Sequence, residues 1–153
     1  MTRPPLPLMG GCQCGAVRYA AQGAPAYVPY CHCRSCRKAT GAPVVAFVVF
    51  EADRVRFTRG RRAFHESSPG VKRAFCRDCG TPLSYEAEWG GRTVVELYVG
   101  TLDAPERVTP DRHVFVDHRL AWFDVHDALP RYGGTSAGTR PDAVGPVGSP
   151  TTG

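Results

Sequence analysis

Tyr30-Cys31-His32-Cys33-Arg34-Ser35-Cys36 decides the reading of this chain. Three thiols fall within one short run, too close together for independent structural roles. Two pairs flank it, Cys12/Cys14 before and Cys76/Cys79 after. All seven cysteines thus belong to three motifs, C-x-C, C-x-C-x-x-C and C-x-x-C. An odd count argues against a disulfide framework. The thiols of a C-x-C pair project in parallel from an extended strand and bridge each other poorly. Reduced thiols at these spacings point to a metal.

Zinc takes thiolates in tetrahedral sites, usually two from each knuckle. The thiols divide as four plus three. Cys12, Cys14, Cys76 and Cys79 are expected to form a closed, structural zinc site that contributes directly to folding, on the order of 10 kcal/mol. Cys31, Cys33 and Cys36 remain, and three protein ligands with a fourth position open is the pattern of a catalytic zinc. Two alternatives stay open here. One histidine among His32, His65, His113, His118 and His126 closes the second site. His32 is a poor choice, because it lies between two ligands and its side chain points away from them on an extended backbone. Alternatively, Cys31 and Cys36 combine with Cys76 and Cys79, which strands Cys12 and Cys14.

Charge separates the chemistries open to a three-thiolate site. Three thiolates on a dication leave a net charge of −1, a poor setting for making hydroxide. The site is better suited to holding one more soft thiolate. Arg34, Arg37 and Lys38 lie beside the cluster and are candidate clamps for substrate carboxylates. The alternating Arg54/Arg56 face is a further candidate. No acid–base residue stands out.

The chain has 153 residues, enough for one domain with one core. Its hydrophobic fraction of 42% and charged fraction of 22% are those of an ordinary soluble protein. No apolar run approaches the roughly 20 residues of a membrane span. The start, Met1-Thr-Arg-Pro-Pro-Leu-Pro-Leu-Met9, has three prolines and no long apolar stretch, so it does not read as a signal peptide. A cytoplasmic location follows, where thiols stay reduced. The net charge is +5, and only Lys38 and Lys72 among the basic residues are lysines. An Arg-rich excess favours anionic partners.

Short runs with alternating apolar residues, separated by Gly and Pro, predict a mainly β fold without a long helix. The expected strands include 16–21, 26–30, 43–50, 54–58, 63–66, 71–75, 83–86, 93–99 and 111–115. One or two helical turns are expected over 35–41, closed by Gly41. Residues 1–9 read as a loose N-terminal arm, 10–132 as the zinc domain, and 133–153 as a disordered tail.

Three runs carry a resemblance: Gly11-Cys12-Gln13-Cys14-Gly15, Cys31-His-Cys33-Arg-Ser-Cys36-Arg-Lys-Ala-Thr-Gly41, and Phe75-Cys76-Arg-Asp-Cys79-Gly80-Thr81. With Gly100-Thr-Leu-Asp103, Pro110-Asp-Arg-His113 and Ala121-Trp-Phe123, they make the chain similar to the glutathione-dependent formaldehyde-activating enzymes. The resemblance covers residues 10–132. It implies a β-tent (Mss-four-like) fold of short antiparallel strands and two zinc ions per chain. Cys12, Cys14, Cys76 and Cys79 would hold the structural zinc, and Cys31, Cys33 and Cys36 the catalytic one. The implied activity is that of a carbon–sulfur lyase, which adds a thiol such as glutathione to formaldehyde or a related aldehyde.

The competing class is a zinc-scaffolded module that binds nucleic acid or protein without catalysis. Against the nucleic-acid form, the basic residues are not interleaved with aromatics and no recognition helix is visible. The sequence leaves oligomeric state open.

Overall fold

A computed structural model describes residues 6–136. The described residues are mainly β, with 44% in strands against 15% in helices. By its contacts it forms two compact units. One comprises the chain up to Val28 together with Phe47–Thr109. The other comprises Pro29–Ala46 and the chain from Pro110 onward.

The first unit holds two antiparallel sheets. Strands β1 (Leu8–Gly11), β2 (Arg18–Ala21) and β5 (Val55–Arg59) pair in the order β1-β2-β5. Strand β4 (Val45–Glu51) enters this unit at Phe47 and pairs with β9 (Arg92–Tyr98). Beyond β9 follow β8 (Pro82–Trp89), β7 (Val71–Cys76) and β6 (Arg62–Ser68). In β2 the period of two is plain: Tyr19 and Ala21 are buried, and Arg18 and Ala20 only partly so. In β4 the run Phe47–Phe50 is buried throughout, so its apolar residues are continuous rather than alternating. Tyr19, Val48, Phe50, Leu83 and Leu97 form the centre of the core. Gly10 is required against this core. A Cβ there would stand 2.3 Å from the Tyr19 hydroxyl and 2.6 Å from the Thr101 carbonyl.

The second unit holds β3 (Pro29–Cys31), helix α1 (Arg34–Thr40), the first residues of β4, and β10 (Arg112–Val114). Strand β3 pairs antiparallel with β4 through Tyr30 and Cys31. Nearly every pairing in the chain is antiparallel, as short connections favour. The exception is β10, which runs parallel to β3 in the register His113↔Tyr30 and Val114↔Cys31. About eighty residues separate these two strands, ample for a parallel return. An irregular segment then runs alongside β10. His113 donates to Pro130, Tyr132 to His113, and Val116 to Tyr132.

Part of the arm expected over residues 1–9 is among the described residues. Strand β1 starts at Leu8, and the Arg107 guanidinium donates to the carbonyls of Leu6 and Pro7. At the other end, the Gly134 carbonyl accepts from Phe115 and the Ser136 hydroxyl from Arg112, so placed chain continues past residue 132. The rest of the expected arm and tail, 1–5 and 137–153, lies outside the described residues. No helix among the described residues is long and apolar enough to cross a membrane.

Candidate metal centres

The thiols gather into two clusters, one in each unit. Cys12, Cys14, Cys76 and Cys79 bring all their Sγ atoms within 4.8 Å of one another, and so do Cys31, Cys33 and Cys36.

The four-thiol cluster is built from two turns. Cys12 ends the run from β1, and its amide donates to Val17 while its sulfur accepts from the Val17 amide at 3.2 Å. Cys76 ends β7, its amide donating to Thr81 and its carbonyl accepting from Gly80. Thr81 ties the two turns together: its hydroxyl accepts from the Gln13 amide at 3.1 Å and lies 3.1 Å from the Cys79 sulfur. Hydrogen bonds from the Thr81 hydroxyl and amide lower the Cys79 thiol to about 6. Sulfur separations of 3.5 Å (Cys12–Cys14) and 3.8 Å (Cys14–Cys76) match the spacing around a tetrahedral zinc. Four sulfurs about 2.3 Å from a shared ion stand about 3.8 Å apart. The donor set and its spacing therefore fit zinc.

The three-thiol cluster lies where β3 meets α1. Cys31 is the last residue of β3 and is buried. Cys33 is the N-cap of α1, extended at φ −63° and ψ 148°, and its sulfur accepts from the Cys36 amide. Cys36, in the first turn, is the buried side chain of the helix. Gly41 ends the helix in the left-handed region at φ 71°, its amide donating to Arg37. The Cys31 and Cys36 sulfurs stand 3.6 Å apart, again a zinc-like spacing. Without an ion the thiols oppose each other's ionisation: Cys33 and Cys36, then burial, push the Cys31 thiol far up. A dication reverses that balance. No histidine or carboxylate among the described residues completes this cluster.

Two histidines have other work. His32 and His113 are fully buried. His32 Nε2 and His113 Nδ1 are 2.9 Å apart, and His113 Nε2 lies 3.0 Å from the Asp127 carboxylate. Tyr30 stacks on His113 at 4.9 Å. Tyr30 and His32 occupy alternate positions on β3 and its extension, so they share one face while Cys31 and Cys33 take the other. Burial would raise the Asp127 pKa, but hydrogen bonds from His113 and from the Leu129 amide outweigh it and hold it low. The ionised carboxylate assigns the tautomers: His113 donates from Nε2 and accepts at Nδ1, so His32 donates from Nε2. His32 Nδ1 is buried and has no hydrogen-bond partner among the described residues. Burial, then the neighbouring His113, lowers the His32 pKa to about 4. His126 is exposed and faces Asp124 at 3.8 Å, and His65 lies in β6 of the first unit.

Of the candidate clamps, Arg34, Arg37 and Lys38 all lie on α1, while in the first unit Arg54 ends a 3-10 turn (Ala52–Arg54) just before β5 and Arg56 lies on β5, neither element carrying a thiol. Arg37 spends Nε on the His32 carbonyl and one Nη on that of His118. The Asp127–His113–His32 chain was not foreseen from the sequence. The shared parity of Tyr30 and His32 hinted at it. Nothing marked Asp127.

A family model described as the glutathione-dependent formaldehyde-activating enzyme matches residues 7–118. An uncharacterized lyase of Schizosaccharomyces pombe is 28% identical over 115 residues, covering 75% of this chain and 82% of the relative. A crystal structure of a Rhodobacter sphaeroides protein superposes with a TM-score of 0.54 at 24% identity, over 67% of this chain and 92% of that one, and supports the fold. The match over residues 7–118 spans both thiol clusters, and the chain belongs to the glutathione-dependent formaldehyde-activating enzyme family.

Proposed function

We propose that the protein is a cytoplasmic zinc-dependent carbon–sulfur lyase that joins a thiol such as glutathione to formaldehyde or a related aldehyde, and splits the adduct in reverse. The three-thiol cluster carries this reading, because its described surroundings contribute no fourth ligand. Cys12, Cys14, Cys76 and Cys79 would hold one zinc as a structural tie. Cys31, Cys33 and Cys36 would hold the other. When bound there, zinc supplies a position at which a thiol is kept as thiolate at neutral pH.

The chain's own residues do the rest. Cys33, as helix cap, holds the cluster at the head of α1, so that the Arg34, Arg37 and Lys38 charges lie beside it. These cations offset the surplus negative charge and attract an acidic thiol. In the forward direction a carbon–sulfur bond forms to the aldehyde carbon, and the thiol proton ends on the former carbonyl oxygen. Holding both partners together contributes through proximity. The test is magnetisation-exchange NMR of glutathione with formaldehyde. The zinc-loaded protein is expected to accelerate exchange, and Cys36→Ser to abolish the acceleration. A rate unchanged by the intact protein sinks the reading.

A further inference from the structure

Helix α1 presents more than a metal-binding end. Arg34, Arg37, Lys38 and Gly41 recur at i, i+3, i+4 and i+7, so they form one face. That face lines a groove of about 660 Å³ together with Ala42, Pro43, Leu120 and Trp122. The volume lies within the roughly 300–1,000 Å³ usual for small-molecule sites. Cys33, the least buried thiol of the open cluster, is the N-cap of the helix whose residues line the groove.

The groove lining is of two kinds, cationic and apolar. Arg34 and Lys38 carry no ion pair among the described residues, whereas Arg37 is occupied by the His32 and His118 carbonyls. In the same lining, Trp122 is 75% exposed, more than any other large apolar side chain described. Phe123 braces its ring edge-on at 6.2 Å. An exposed indole held beside two unspent cations is complementary to an anion with an apolar arm.

We propose that this groove binds acidic thiol derivatives whose sulfur carries an apolar, preferably aromatic, substituent: the carboxylates meet Arg34 and Lys38, and the substituent lies against Leu120 and Trp122. The proposal rests on the lyase reading for its orientation. It extends that reading to aldehydes larger than formaldehyde, which adds one carbon and leaves the apolar wall uncovered.

The test uses S-methylglutathione and S-benzylglutathione, which have no free thiol and so cannot be substrates. Binding is followed on the zinc-loaded full chain carrying Trp89→Phe, which leaves Trp122 as the sole reporter. Both ligands are expected to change its fluorescence saturably, the benzyl form binding about tenfold more tightly, as burial of a phenyl ring predicts. Arg34→Ala with Lys38→Ala is expected to weaken both by about tenfold, and added salt to weaken them further. In calorimetry Trp122→Ala is expected to remove the benzyl preference while methyl-form binding survives. Equal affinities, indifference to the double substitution, or no binding of either ligand each overturns the proposal. Exchange activity without groove binding defeats the groove alone, and groove binding without exchange activity defeats the lyase reading alone.

Discussion

The sulfur of Cys33 accepts a hydrogen bond from the Cys36 amide at 3.2 Å and so caps the helix that carries Cys36. One thiol therefore serves as N-cap and as metal donor, which separates two substitutions of similar size. Serine at a cap accepts the same bond, whereas alanine leaves the amide without it, a loss of about 1 kcal/mol. Cys33→Ser and Cys33→Ala are both expected to lower the metal content from two ions to one. In these one-ion proteins, with the four-thiol site still loaded, Cys33→Ala is expected to be about 1 kcal/mol less stable than Cys33→Ser by denaturant unfolding. Equal stability would show that the cap contributes nothing.

The four-thiol cluster joins the turn after β1 to the turn after β7, within the unit that holds the main core. Its removal should be a folding defect, not a local one. Cys76→Ser is expected to abolish the cooperative thermal transition, since a structural zinc contributes on the order of 10 kcal/mol. Cys36→Ser, in the other unit, is expected to leave a cooperative transition measurable by circular dichroism.

Gly10 lies against Tyr19, whose hydroxyl is 2.7 Å from that of Thr101. A Cβ meeting both the ring and a backbone carbonyl forces the strand to shift. Gly10→Ala is expected to cost about 1–3 kcal/mol, as overpacking does. Gly134→Ala, where a Cβ meets nothing within 4 Å, is the control.

Asp127 aligns the buried histidines. Asp127→Asn keeps the shape but lets the amide donate to His113. The chain then reverses: His113 donates from Nδ1, and His32 accepts at Nε2 and carries its proton on Nδ1. Nitrogen-15 NMR of the two imidazoles reads this directly. The pH dependence has a definite sign. The folded-state pKa of Asp127 is depressed, so its stabilisation is present above the unfolded value of about 3.9 and is lost as pH falls through the folded value. The stability difference between the native protein and Asp127→Asn is expected to shrink below about pH 4. A difference that grows there would contradict the assignment.

The thiol division was legible because ligand spacing is local: each knuckle closes over two to five residues, within reach of backbone turns. Helix α1 was legible for the same reason, with Gly41 supplying the left-handed cap. Two features were not. The strands over 26–30 and 111–115 are marked locally, but the parallel pairing of β10 with β3 depends on where a distant strand returns, and no local signal names its partner. Asp127 lies in an irregular segment with no periodicity, so its approach to His113 is purely tertiary. The two compact units likewise follow from contacts between segments far apart in sequence.

The central claim is that one metal is closed by four protein thiolates while the other keeps a position for an incoming thiol. Cobalt-substituted protein read by visible and X-ray absorption, before and after glutathione, tests it most directly. The prediction is two ions per chain, one with four sulfurs throughout and one changing from three sulfurs to four when glutathione is added. Two sites that both ignore glutathione, or a histidine nitrogen bound at the Cys31/Cys33/Cys36 ion, would contradict it.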